Sequence, residues 1–150
     1  MTGYIICIGN RFVAADAAGP AVFDRLQEMV LPEGVEPVEG GLAGLNLLPF
    51  LEKGGRVVFV DAVQGFAGPG EVVLLGEREI AGITSQSHYD HGAGLPYVLA
   101  VLPQVADGRL PEEISLVGLE GECSMETIDR AARLSIAVAA HGLIGFKGRG

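Results

Sequence analysis

Short apolar runs alternate with segments of helical periodicity along almost the whole chain, and this alternation constrains the fold more than any other feature. The apolar runs have the length of buried strands and lie between glycine-, proline- and charge-rich turns. Strands that alternate with helices indicate a mostly parallel sheet covered on both faces. We therefore predict an α/β three-layer sandwich with a five-stranded sheet, its strands at Tyr4–Ile8, Val35–Val38, Arg56–Val60, Glu71–Leu75 and Ile114–Leu119.

The segments between the strands predict the helices. Val22, Phe23 and Leu26 recur at helical spacing, which favours an amphipathic helix that ends before Pro32. Ser124 is the expected N-cap of the last helix, since its hydroxyl can accept a bond from a free backbone N–H. The predicted helices are Ala17–Val30, Leu42–Lys53, Pro96–Ala106 and Met125–His141, of which the third must kink or end early at Pro103.

Length and composition narrow the class of protein. A chain of 150 residues is expected to form one domain over positions 1–150. No apolar run reaches the roughly 20 residues of a membrane helix, and the N-terminus lacks the basic region of a signal peptide. Two cysteines are too few for a disulfide framework, so we expect a cytoplasmic protein. The net charge of −9 argues against nucleic acid and is compatible with a basic partner, a metal cation or a solvated surface.

Two isolated acids, Asp16 and Asp61, each follow a predicted buried strand. The carboxyl ends of adjacent strands in an open parallel sheet form the crevice where ligands bind. A later loop, Ser87-His88-Tyr89-Asp90-His91-Gly92, adds imidazoles to these carboxylates. Carboxylate and imidazole together suit Zn, Ni, Co or a similar first-row ion, so the pattern indicates a divalent metal site.

Several motifs along nearly the whole chain resemble those of the hydrogenase maturation proteases, which trim the C-terminal extension from the large subunit of nickel–iron hydrogenases. The resemblance rests on the Gly9-Asn10 turn with its acid at Asp16, on Gly19-Pro20, and on His91 upstream of Val98-Leu99-Ala100. It includes Asp61-Ala62-Val63 with Gly65 and Pro69-Gly70. It also includes Glu39-Gly40-Gly41 before Gly44-Leu45-Asn46, where the family usually has Asp-Gly-Gly.

The resemblance implies a function and a set of site residues. It implies a nickel-dependent endopeptidase whose partner is the hydrogenase large-subunit precursor, with the nickel supplied in that substrate; Zn or Cd is expected to substitute in a crystal. The family's metal ligands fall on Asp16, Asp61 and His91, and the two acids are the expected catalytic residues. The family typically has two adjacent acids after the first strand, whereas this chain has Ala15-Asp16.

The glycines of the second motif are the expected substrate-binding residues. Gly40, Gly41 and Gly44 are predicted to open the second helix near the same sheet edge and to line a groove for an extended C-terminal segment. Glycine allows close backbone approach, although simple flexibility at a helix N-terminus is the alternative explanation.

The site residues and the function each have alternative interpretations. Asp16 has the alternative role of a helix N-cap, and His91 that of a solvated loop residue. His88 is the expected bystander, and His141 the expected charge at a helix C-terminus. The alternative functions are a non-catalytic metal-sensing chaperone, suggested by Ala15, and a small-molecule hydrolase on the same sheet.

The sequence also limits the hydrolytic mechanism. It contains neither a recognisable Ser-His-Asp set nor a His-Glu-x-x-His motif, and Cys7 falls inside a predicted core strand. A covalent nucleophile is therefore not expected. A metal-polarised carbonyl, or a carboxylate acting as general base on water, remains.

Overall fold

The computed structural model describes residues 3–41, 47–51, 54–82 and 110–147. The strands are β1 (Gly3–Ile8), β2 (Val35–Gly41), β3 (Arg56–Val63), β4 (Val72–Gly76) and β5 (Glu113–Glu120). A 3-10 turn, Ala14–Asp16, follows β1, and the helices are α1 (Ala18–Gln27), α2 (Leu48–Leu51), α3 (Glu77–Gly82) and α4 (Met125–Lys147).

The five described strands form one sheet in the order β2-β1-β3-β5-β4. The pairs β1–β2, β1–β3 and β3–β5 are parallel, and β4 runs antiparallel to β5 at the edge. The mostly parallel five-stranded sheet predicted from the sequence is therefore confirmed. One predicted strand end was wrong, because β3 continues past Val60 and Asp61 to Val63.

Apolar side chains cover both faces of the sheet, which makes the domain a three-layer sandwich as predicted. On one face Tyr4, Ile6 and Phe59 pack with Leu51 of α2 and Ile80 of α3. The other face has a second cluster, in which strand residues pack against α1 and α4; its members include Ile5, Val58, Val117, Leu26, Ile128 and Ala132. The alternation of strand side chains between these two layers explains why the strands are apolar along their whole length.

Helices α1, α2 and α4 lie close to their predicted positions, whereas α3 was not predicted. Helix α1 is slightly shorter than Ala17–Val30, and only the part of Leu42–Lys53 at Leu48–Leu51 is described, as a helix. The Ser124 hydroxyl accepts the backbone N–H of Thr127 at 3.2 Å, which confirms the N-cap of α4. Helical geometry is interrupted at Gly142, one residue after the predicted end at His141. The predicted helix Pro96–Ala106 lies outside the described residues.

The helices next to β1 and β3 in the chain lie on opposite faces of the sheet. Helix α1 follows β1 on one face, and α2 precedes β3 on the other. Adjacent parallel strands with this arrangement form the switch point of an open sheet, where a crevice opens at their carboxyl ends. Among the helices that the structure describes, none combines the length and the apolar character needed to cross a membrane.

Candidate functional site

A cleft of about 570 Å³ opens at the carboxyl ends of β3 and β5. The 3-10 turn after β1 forms one wall, the end of β3 forms the second, and the turn after β5 forms the third. Its lining residues are Val13, Ala14, Ala15, Asp16, Ala62, Val63, Gln64, Glu120, Gly121 and Glu122. The cleft therefore lies where the sequence places a ligand site, and three of its side chains are carboxylates.

Asp16 lies in the cleft wall, in the last position of the 3-10 turn. Its Oδ2 accepts the backbone N–H of Asn10 at 2.9 Å, so the carboxylate closes the loop that leaves β1. The N-cap position of α1 belongs to Ala17, where there is no side-chain capping bond. The alternative role of Asp16 as the N-cap residue of α1 is therefore wrong.

The turn at Gly9 requires glycine for two reasons. Its φ of 142° is one that side chains with a Cβ rarely adopt, and a Cβ there would lie 2.2 Å from the Asp16 carbonyl oxygen. Gly19 has a related constraint, because a Cβ would lie 1.9 Å from the Ile8 carbonyl oxygen. These close approaches hold the first turn of α1 against the end of β1 and so fix the position of Asp16.

Asp61 is fully buried within β3 and immediately precedes Ala62 and Val63, which line the cleft. The strand register pairs it with Gly118 of β5. Its Oδ1 accepts the backbone N–H of Ala62 at 2.8 Å.

The third predicted metal ligand cannot be placed. His91, His88 and Gly44 lie outside the described residues. Within the part of the chain that the structure describes, no three His, Cys, Asp or Glu side chains are grouped closely enough to hold a metal ion. The ligand set Asp16, Asp61 and His91 thus stays a prediction, of which the structure places the two carboxylates at or beside the cleft.

Gly40 and Gly41 end β2 and do not open a helix, which corrects the prediction for this segment. The β1–β2 register shifts here, because Cys7 pairs with Glu39 and Ile8 pairs with Gly41. Gly40 is the extra residue of this bulge, and a Cβ there would lie 2.8 Å from the Ile6 side chain.

Gly41 differs from Gly40, because a Cβ at this position would meet no atom within 4 Å. Its φ is 58°, and its carbonyl oxygen accepts the backbone N–H of Gly9 at 2.8 Å. Gly41 lines a second, smaller pocket of about 300 Å³ with Asn10, Arg11 and Glu39. The open space at Gly41 is compatible with its predicted role in substrate contact.

Neither cysteine has the properties of an activated nucleophile. Cys7 is fully buried, and burial, reinforced by the carboxylates of Glu39 and Asp24, raises the pKa of its thiol far above the usual range. Burial and the Glu120 carboxylate also raise the pKa of Cys123. Since the thiolate is the reactive form, both environments suppress thiol chemistry.

Glu120 is a cleft residue that the sequence analysis missed. It ends β5, is buried, and its carboxylate accepts three backbone N–H groups from the loop after β3. The signal was present in the sequence, because Glu120 follows the apolar run Ile114–Leu119 just as Asp61 follows Arg56–Val60.

The sequence matches a known protein family. The profile of the hydrogenase maturation protease family matches residues 20–141. The chain is 28% identical over 117 residues to the hydrogenase 2 maturation protease of Escherichia coli, covering 77% of this chain and 70% of that protein. It is 30% identical over 144 residues to the hydrogenase expression/formation protein HupD of Rhodobacter capsulatus, covering 95% of this chain and 65% of that protein.

Comparison with solved structures gives a matching fold. The solved structure of the hydrogenase maturating endopeptidase HybD from E. coli superposes on the chain with a TM-score of 0.73. The superposition covers 100% of this chain and 94% of that one at 23% sequence identity, so it supports the fold.

Proposed function

Since this chain belongs to the hydrogenase maturation protease family and is thereby an endopeptidase, we propose that it removes the C-terminal extension of a nickel–iron hydrogenase large-subunit precursor. The names of the relatives support a hydrogenase as the substrate, because one is a protease of hydrogenase 2 maturation and another a hydrogenase formation protein. The limited proteolysis of one dedicated protein would then be a step in its maturation.

The cleft at the carboxyl ends of β3 and β5 carries this proposal. It has a volume of about 570 Å³ and has Asp16 in its wall, and buried Asp61 immediately precedes two wall residues in β3. We propose that these carboxylates, together with His91, contact the nickel ion held by the precursor. Two carboxylates and one imidazole suit first-row cations, so Zn or Cd can take the same position.

Recognition of the metal in the substrate would make cleavage a checkpoint on nickel insertion. A precursor without nickel would lack the cation that holds it against Asp16 and Asp61, and it would stay uncleaved. The nickel is thus part of the substrate in this proposal.

A carboxylate acting as general base is the hydrolytic role that the described residues support. Asp16 lies in the cleft wall, where it can take a proton from a water molecule that attacks the scissile carbonyl. The new C–O bond forms, the proton passes to the leaving amine, and the C–N bond breaks. A covalent thiol intermediate is disfavoured, because both cysteines have raised pKa values.

The test is incubation of the protein with nickel-loaded and nickel-free precursor, followed by intact-mass spectrometry. We expect release of one C-terminal peptide from the loaded precursor alone. A stable complex without cleavage would instead support the metal-sensing chaperone. That alternative is suggested by Ala15, which lines the cleft where the family typically has a second acid. Absence of any complex would exclude the hydrogenase precursor as the partner.

A further inference from the structure

The carboxylate of Glu120 binds three consecutive backbone N–H groups of the loop that follows β3. Its Oε2 accepts from Gly65 at 3.1 Å, and its Oε1 accepts from Phe66 at 2.9 Å and from Ala67 at 3.2 Å. The side chain is only 8% exposed, so these bonds are largely shielded from water. The end of β5 and the loop after β3 are thereby joined through one side chain.

Glutamate can make all three of these bonds, whereas glutamine cannot. A carboxylate offers two acceptor oxygens and no donor, and here both oxygens are used. In a glutamine the oxygen could keep the bonds to Phe66 and Ala67, but its NH₂ group would then face the N–H of Gly65. Two donors facing each other repel, so the loop would lose one bond and its fixed position.

The main chain around Glu120 extends the same connection to α4. The Gly70 N–H donates to the Glu120 carbonyl at 2.7 Å, and the Glu120 N–H donates to Glu71 at 3.0 Å. The Thr127 hydroxyl donates to the Gly70 carbonyl at 3.0 Å. The loop is therefore held at both ends, by the Glu120 side chain near Gly65 and by α4 near Gly70.

This loop begins at the cleft, and its anchor is part of the cleft wall. Gln64, which directly precedes the three bonded residues, lines the cleft together with Glu120 and Gly121. Movement of the loop would change the shape of the cleft at the ends of β3 and β5, while Asp16 lies on the separate wall formed by the 3-10 turn.

From these observations we propose that Glu120 is a positioning residue for precursor binding. It fixes the loop after β3 so that the cleft keeps the shape that receives the extended segment of the substrate. The inference rests on the proposed function, since the precursor is the ligand. It assigns Glu120 to binding and leaves the chemical step to Asp16 on the wall formed by the 3-10 turn.

The test compares Glu120→Gln with Glu113→Gln in the full chain. Glu113 is a matched control, because it lies at the opposite end of β5 and its carboxylate also accepts a backbone N–H, from Leu143 at 2.8 Å. For Glu120→Gln we expect KM for nickel-loaded precursor to rise about tenfold, as the loss of one hydrogen bond predicts, with kcat nearly unchanged. Glu113→Gln should retain the native KM.

A second readout does not depend on the substrate. Hydrogen exchange followed by mass spectrometry should show faster exchange of the Gly65–Ala67 amides in Glu120→Gln and native exchange there in Glu113→Gln. Unchanged exchange at these amides would overturn the inference, as would a fall in kcat at constant KM or an equal rise of KM in both variants. If the native protein cleaves no hydrogenase precursor although the exchange result is as expected, the proposed function fails, and the role in precursor binding fails with it.

Discussion

The backbone N–H of Asn10 donates to Asp16 Oδ2 at 2.9 Å, and this bond closes the loop between β1 and α1. It gives the Asp16 side chain a structural role that any acceptor oxygen can fulfil. A metal ligand or a general base, in contrast, needs the negative charge of the carboxylate. One substitution can therefore separate the two roles.

Asp16→Asn should fold normally and lose most metal-dependent cleavage. The amide oxygen of asparagine can accept the Asn10 N–H, so we expect a loss of at most about 1 kcal/mol in the free energy of unfolding. An amide is a much poorer ligand for a divalent cation and is no base, so processing of nickel-loaded precursor should fall steeply. Asp61→Asn should also lose cleavage. Thermal unfolding and product mass spectrometry measure the two effects.

The control for this pair is His141→Ala. His141 is exposed at the end of the regular part of α4, remote in the fold from the cleft-lining residues, and its removal should leave cleavage intact. Native cleavage by Asp16→Asn would show that cleavage does not need the negative charge of Asp16.

The two glycines at the end of β2 should respond differently to substitution. Asparagine tolerates the left-handed conformation of Gly41, and its side chain would meet open space, so Gly41→Asn should cost less than about 1 kcal/mol. If Gly41 contacts the substrate, this variant should nevertheless impair processing. Gly40→Ala should instead lose about 1–3 kcal/mol, because its Cβ would press on Ile6 in the core. Denaturant titration and a cleavage assay on both variants check this, and equal losses of stability and activity at Gly41 would assign it to the fold alone.

Cys7 should be unreactive in the native protein. Burial raises the pKa of its thiol, so at pH 8 we expect iodoacetamide to leave Cys7 unmodified until denaturant unfolds the domain. Peptide mass mapping locates the modification. Cys7→Ala should cost about 1 kcal/mol for the lost core volume and retain full cleavage. Loss of cleavage in a folded Cys7→Ala protein would support a thiol mechanism and contradict this prediction.

An ion-pair cluster between α1 and α4 predicts a dependence of stability on pH. Asp129 accepts from Arg133 Nε and from Arg25 Nε, each at 2.8 Å, and these bonds lower the pKa of its carboxyl, the Arg133 bond most. The stabilisation is therefore complete above the unfolded-state pKa of about 3.9 and is lost as the pH falls through the lower folded-state pKa. Asp129→Asn should slightly lower Tm at pH 7, and this difference should shrink in strong acid. Glu33→Gln, an exposed turn variant, should show no such trend in the same thermal scans.

The sheet was predictable because its strands are apolar along their whole length. Both faces are covered, so each strand forms an uninterrupted apolar run, and glycines and prolines separate these runs. The cap at Ser124 was predictable for an equally local reason. The bulge at Gly40 was not predictable, because it depends on how β2 pairs with β1, where a Cβ at Gly40 would lie 2.8 Å from the Ile6 side chain.

The site was predictable only in part. The acid after the first strand, Asp16, lines the cleft as its position indicated, and Asp61 lies in β3 immediately before two cleft residues. The same sequence pattern at Glu120 was overlooked. The partners of these acids depend on tertiary structure. The Asp16 carboxylate accepts the Asn10 N–H, and Ala17 holds the N-cap position of α1. The Glu120 carboxylate accepts N–H groups of a loop far earlier in the chain. Sequence spacing does not encode such contacts, since they arise only when separate loops meet.

The position of β3 between β1 and β5 has a consequence for how the protein is made. Gly3 pairs with Arg56, and Arg56 pairs with Glu113, so the central strand acquires its two neighbours only by closing two long stretches of chain. Pairings of this kind slow folding, because the entropy of closure is lost before the contacts form. On the ribosome, β1, β2 and β3 can associate early, but the sheet must wait for β5 to emerge. The cleft is thus completed only after β5 has left the ribosome, and a nascent chain cannot act on its substrate before that strand is in place.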